Sequence, residues 1–89
     1  MEVPEYFVES VQIRSGPGGV AMALGEELHP AVGMGTKIHC ILRMDLIQAK
    51  VLAIQLRKNL KTHEDMHGRV NLSPKGMEAL GISEQEDWI

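Results

Sequence analysis

Apolar residues alternate with polar ones in the first half of the chain and recur at helical spacing in the second. In residues 6–14 (YFVESVQIR), Val11 and Ile13 alternate with Ser10, Gln12 and Arg14, the period of a half-buried strand. Residues 20–24 (VAMAL) put Val20, Met22 and Leu24 on one face and two alanines on the other. Residues 37–44 (KIHCILRM) put Ile38, Cys40, Leu42 and Met44 on one face, with Lys37, His39, Ile41 and Arg43 on the reverse. One apolar and one largely solvated face per strand predicts an antiparallel sheet.

At Asp45 the period changes. Ala49, Leu52, Ala53, Leu56, Leu60, His63 and His67 fall on one helical stripe, and Ile47, Val51 and Ile54 lie on nearly the opposite side. Asp45 suits an N-cap, Gln48 three residues on completes a capping box, and Gly68 is a natural C′ stop. The N-terminal half of this helix is apolar on two faces, and a three-stranded sheet covers only one. Ile47, Val51 and Ile54 are therefore expected to meet the C-terminal segment or another subunit. Downstream, Ser73-Pro74 opens a short helix that ends before Gly81, and Ser83 with Glu86 predicts a second capping box. The expected class is α+β: a three-stranded antiparallel sheet, one long amphipathic helix and a short helical C-terminal segment. The expected division is a strand-strand-strand-helix domain at 1–68 and an extension at 69–89.

Two glycine-rich stretches separate the strands. Ser15-Gly16-Pro17-Gly18-Gly19 between two strands predicts a hairpin loop. Backbone amides at Gly16, Gly18 and Gly19 also offer a small-ligand or anion site. A phosphate loop normally runs into a helix and carries Lys-Ser/Thr; neither follows here, so the hairpin is preferred. Gly25 to Thr36 reads as a long loop with three glycines and a proline, in which His29 is an ordinary loop residue.

Length and composition narrow the function classes. Eighty-nine residues make one domain. Such a chain buries only about 60–65% of the surface its unfolded form exposes, so help from metals, disulfides or oligomerisation is usual. Cys40 is the single cysteine, which excludes an internal disulfide and suits a reducing, cytoplasmic location. No apolar run reaches membrane-span length, and Met1-Glu2-Val3-Pro4-Glu5 lacks the features of a signal peptide. A net charge of −3 argues against a nucleic-acid partner, as does the confinement of Tyr6, Phe7 and Trp88 to regions near the termini. Six methionines among aliphatic residues imply adaptable apolar surfaces.

The helix also carries a resemblance. Ala49-Lys50, Leu52, Leu56, Asn59-Leu60, Glu64 and Gly68 read as A-K-x-L-x-x-x-L-x-x-N-[IL]-x-x-x-E-x-x-x-G. This resembles the helix of an uncharacterised family of small prokaryotic proteins of about 100 residues, the size of one domain. The likeness spans residues 6–68 and is specific only in the helix. It implies strands followed by a helix and brings no catalytic residues, because the family has none assigned. Met44-Asp45-Leu46 stands where the family has Met-Ser-Pro, and His63 and His67 stand where it has aromatic residues.

His63-Glu64-Asp65-Met66-His67 spells H-E-x-x-H. On a helix the two histidines share a face and can ligate zinc, with the glutamate as general base on a metal-bound water. Glu78, Glu84 or Glu86 is a candidate third ligand. Against this, the motif sits in the last helical turn before Gly68, in a chain too short to build a deep cleft around it. Packing is the preferred role for His63 and His67. Zinc is the one cofactor the motif admits; otherwise none is expected. Cys40 and His39 are strand neighbours on opposite faces and form no nucleophile pair. The residues favour a non-enzymatic, self-associating interaction protein, a homo-oligomer built through Ile47, Val51 and Ile54, through sheet edges, or both. The alternatives are a holdase chaperone similar in outline to the SecB export-chaperone subunit, a small-ligand or anion-binding module at the glycine turns, and a zinc-dependent hydrolase.

Overall fold

The computed structural model describes residues 2–28 and 35–88. The elements are β1 (Ser10–Gly16), β2 (Gly19–Glu27), β3 (Thr36–Met44), α1 (Leu46–His67), α2 (Pro74–Leu80) and α3 (Glu84–Asp87). The chain is α+β. Its three strands form one antiparallel sheet in the order β1-β2-β3, followed by the long helix and the short C-terminal helices. The Gly16–Gly19 pair closes the first hairpin around Pro17-Gly18, and Gly19 takes a φ of 128° that only glycine adopts readily.

Two strand boundaries differ from those expected. β1 begins at Ser10, not Tyr6; the Tyr6 ring stacks on His39, with centroids 5.1 Å apart, instead of joining the ladder. β2 continues to Glu27, taking Gly25, Glu26 and Glu27 out of the expected loop. The centre of that loop, residues 29–34 with His29, lies outside the described residues.

The β2–β3 register shifts between Leu24 and Gly25: Leu24 pairs with Cys40, but Gly25 pairs with Ile38. His39 is the extra residue of this bulge. The shift moves Ile38 off the face it was expected to share with Cys40, Leu42 and Met44. Gly25 makes the close approach possible. It is the single buried residue among those described, and a Cβ there would collide with the Lys37 carbonyl oxygen.

Local signals set the helix ends. Asp45 Oδ1 accepts from the Gln48 backbone N–H at 2.7 Å, and the Asp45 carbonyl accepts from Ala49 at 3.0 Å. Gly68 ends α1 with a φ of 96°. Ser73 caps α2, with Pro74 in its first turn. Gly81, in the left-handed region, donates to Glu78 while Ile82 donates to Met77, the paired bonds of a Schellman stop. At α3, Asp87 rather than Glu86 returns to the cap: its Oδ2 accepts from the Ser83 N–H at 2.7 Å.

Contacts divide the chain into two compact units, Met1–Gln55 and Leu56–Ile89. The division falls inside α1, upstream of the expected boundary at Gly68, because residues beyond Gly68 fold back on the last turns of that helix. Neither unit has an apolar core among the described residues: no hydrophobic side chain is buried.

Candidate functional site

The sequence offers the helix face Ile47, Val51 and Ile54, the glycine turn and the H-E-x-x-H turn; the structure gives each a geometry and adds an apolar sheet face to the first. The first is apolar. Cross-strand pairing aligns Val11, Leu24 and Cys40 in one row, and Ile13, Met22 and Leu42 in the next. Ser15, Val20 and Met44 form the third. Eight of these nine side chains are apolar, and they share one face of the sheet because side chains alternate along a strand. The face is only partly covered: Ile13 is 63% exposed, and Val11 and Leu42 are exposed as well, while Val20, Met22, Leu24, Cys40 and Met44 are half-buried. On α1, Ile47, Val51 and Ile54 are 78%, 41% and 57% exposed. No residue of either helical stripe is buried, although Ala49 and Leu52, on the stripe expected to pack on the sheet, are half-buried.

The second surface is the glycine turn. Gly16, Gly18 and Gly19 line an open cleft of about 480 Å³ with Arg14, Ser15 and Arg43. The two arginines escaped the sequence reading because each is an ordinary polar-face residue of its own strand. Only the register, Arg14 opposite Ala21 and Ala21 opposite Arg43, brings them into one row.

The third is the H-E-x-x-H turn. His63 and His67 are side by side as helical spacing requires, with ring centroids 4.9 Å apart. Glu64 is engaged elsewhere. Its Oε1 accepts from the Trp88 indole N–H at 2.9 Å, and its Oε2 accepts from the Val70 backbone N–H at 2.9 Å. The Val70 and Trp88 hydrogen bonds, with the charges of Lys61 and Arg69, hold this carboxyl below its ordinary range. The Lys61 ammonium lies over the Trp88 ring, 4.5 Å from its centroid, with the Arg57 guanidinium 5.9 Å away. Arg69 grips both oxygens of Glu84, which raises the guanidinium's pKa further. Glu84, one of the candidate third ligands, is thus committed to an ion pair. No group of three or more metal-ligating side chains occurs among the described residues.

The bulge also builds a small cluster that strand alternation did not foresee. His39, stacked on Tyr6, has its Nε2 3.9 Å from Glu26 Oε2, while Cys40 is a free thiol in the Leu24 row. No helix among the described residues is long and apolar enough to cross a membrane. Compared with family models, curated proteins and solved structures, the chain matches none.

Proposed function

We propose that this protein is a small, non-enzymatic interaction protein that self-associates through apolar surface in its N-terminal unit. The observation that carries this reading is the absence of any buried hydrophobic side chain among the described residues, beside a sheet face of eight apolar side chains. Burying apolar surface stabilises by about 25 cal/mol per Å², and a chain of this size has little else to offset the entropy of folding. A second copy supplies the missing cover most simply, because one self-complementary patch then serves both subunits. Ile47, Val51 and Ile54 extend the available apolar surface along α1. A cytoplasmic setting, in which Cys40 stays reduced, accords with this reading.

Sedimentation velocity on the intact chain tests it. A dimer or larger species is expected at micromolar concentration, and a monomer there would overturn the proposal. Val51→Glu should dissociate the assembly if the helix face is the contact, and Ile13→Glu should do so if the sheet face is. A holdase-like role is the second reading, supported by the half-buried Met22 and Met44 on the same apolar face, since thioether side chains adapt to varied partners. Suppression of a client protein's aggregation separates it from simple self-association.

A further inference from the structure

The cleft at the first hairpin combines three features with a common chemical meaning. Arg14 and Arg43 sit in one cross-strand row with only the methyl group of Ala21 between them. Adjacent strands are about 4.8 Å apart, so the two backbones are separated by about 10 Å, within reach for both long side chains to converge over Ala21. Both line the same cleft. Neither makes an ion pair or a side-chain hydrogen bond with any described residue. Two unneutralised cations on one row repel each other, in a chain whose net charge is −3 and which has carboxylates to spare.

The wall beside them is open backbone. Added Cβ atoms at Gly16 or Gly18 would meet nothing within 4 Å, and neither residue needs a positive φ. These glycines are required neither by packing nor by the turn's dihedrals, so what they leave is room for a group to approach the main chain.

We propose that this cleft binds a tetrahedral oxyanion, a phosphate group free or as a small phosphomonoester, between the Arg14 and Arg43 guanidiniums and against the Gly16–Gly19 turn. Each guanidinium presents a planar fork of N–H donors that matches two phosphate oxygens, and a dianion relieves the repulsion between the pair. The Arg14–Ala21–Arg43 row lies on the reverse of the apolar sheet face, although Val20 and Met44 of that face also border the cleft.

Nuclear magnetic resonance titration of the full chain tests the site, with inorganic phosphate in one arm, glycerol phosphate in a second and sodium chloride at matched ionic strength in a third. Saturable shifts at the Gly16, Gly18 and Gly19 amides and at the Arg14 and Arg43 side chains are expected in the first two arms only. Tighter binding of glycerol phosphate identifies an esterified ligand; equal binding identifies free phosphate. Arg14→Gln and Arg43→Gln should each weaken binding about tenfold, as loss of a charge-assisted fork predicts. Gly18→Ala, which the fold has room for, should also weaken it by placing a methyl in the cleft. Shifts that chloride reproduces, that are unsaturable, or that persist in the Arg14→Gln/Arg43→Gln double variant overturn the proposal. The wild-type and Gly18→Ala titrations decide the matter even if an arginine variant misfolds.

Discussion

In the unit Met1–Gln55, three strands pair in register while none of the apolar side chains on one sheet face is fully buried. The unit Leu56–Ile89 also exposes apolar side chains, Leu56, Leu80 and Ile82 among them, but several of its charged groups are matched in detail: Glu64 to Trp88 and Val70, Arg69 to Glu84, Lys61 over the Trp88 ring. The first unit depends on hydrophobic burial that its own residues do not supply. The second is held by charge-assisted hydrogen bonds that tie its C-terminal residues back to Glu64 and Arg69. The two should therefore fail under different insults: the sheet through backbone geometry and apolar cover, the C-terminal segment through protonation.

The sharpest way to break this contrast is Gly25→Ala. A methyl there meets the Lys37 carbonyl oxygen, part of the backbone and unable to swing aside. Overpacking against an atom that cannot yield costs about 3 kcal/mol, a large part of the margin of a small domain. Urea unfolding followed by far-UV circular dichroism should show a large loss in midpoint. Trp88 is the sole tryptophan and lies in the other unit, so its native emission should change little before unfolding. An unchanged midpoint would mean the β2–β3 approach is not fixed at Gly25.

Asp45→Ala is the next largest change. It removes the acceptor for the Gln48 N–H at the first turn of α1. Loss of an N-cap costs about 1 kcal/mol. Asn should restore most of it, because Asn also accepts from the backbone. A stability equal to wild type in Asp45→Ala would place the start of α1 under some other control.

How well each feature could be read from the chain follows from how far its cause extends along it. Asp45, Gly68, Ser73-Pro74 and Gly81 act on neighbours within a turn, and the helix ends fall where those residues put them. The bulge at Leu24/Gly25 depends on how two strands meet, so alternation alone assigned Ile38 to the wrong face. Arg14 and Arg43 are distant in sequence and share a cleft only through β2. The H-E-x-x-H spelling placed His63 beside His67 correctly. It gave no hint that Glu64 would be occupied by Val70 and Trp88, because Trp88 reaches it from across α2 and α3.

The smallest expected effect tests the C-terminal unit alone. The hydrogen bonds from Val70 and Trp88 favour the ionised Glu64 carboxyl and lower its pKa from the ordinary 4.5. The folded state then binds fewer protons than the unfolded one in that range. The stabilisation is fully present above the unfolded value and is lost as pH falls through the lowered, native one. Trp88 emission, followed from neutral pH down to about pH 3 at constant ionic strength, should hold steady and then shift only below the ordinary carboxylate range. Glu64→Gln keeps an acceptor for one N–H but loses the charge, so it should perturb Trp88 already at neutral pH and flatten the acid step. Because Lys61 still lies over the indole ring, the segment should loosen rather than detach. An acid transition identical in wild type and Glu64→Gln would assign it to other carboxylates and remove Glu64 as the group that fastens the C-terminal segment to α1.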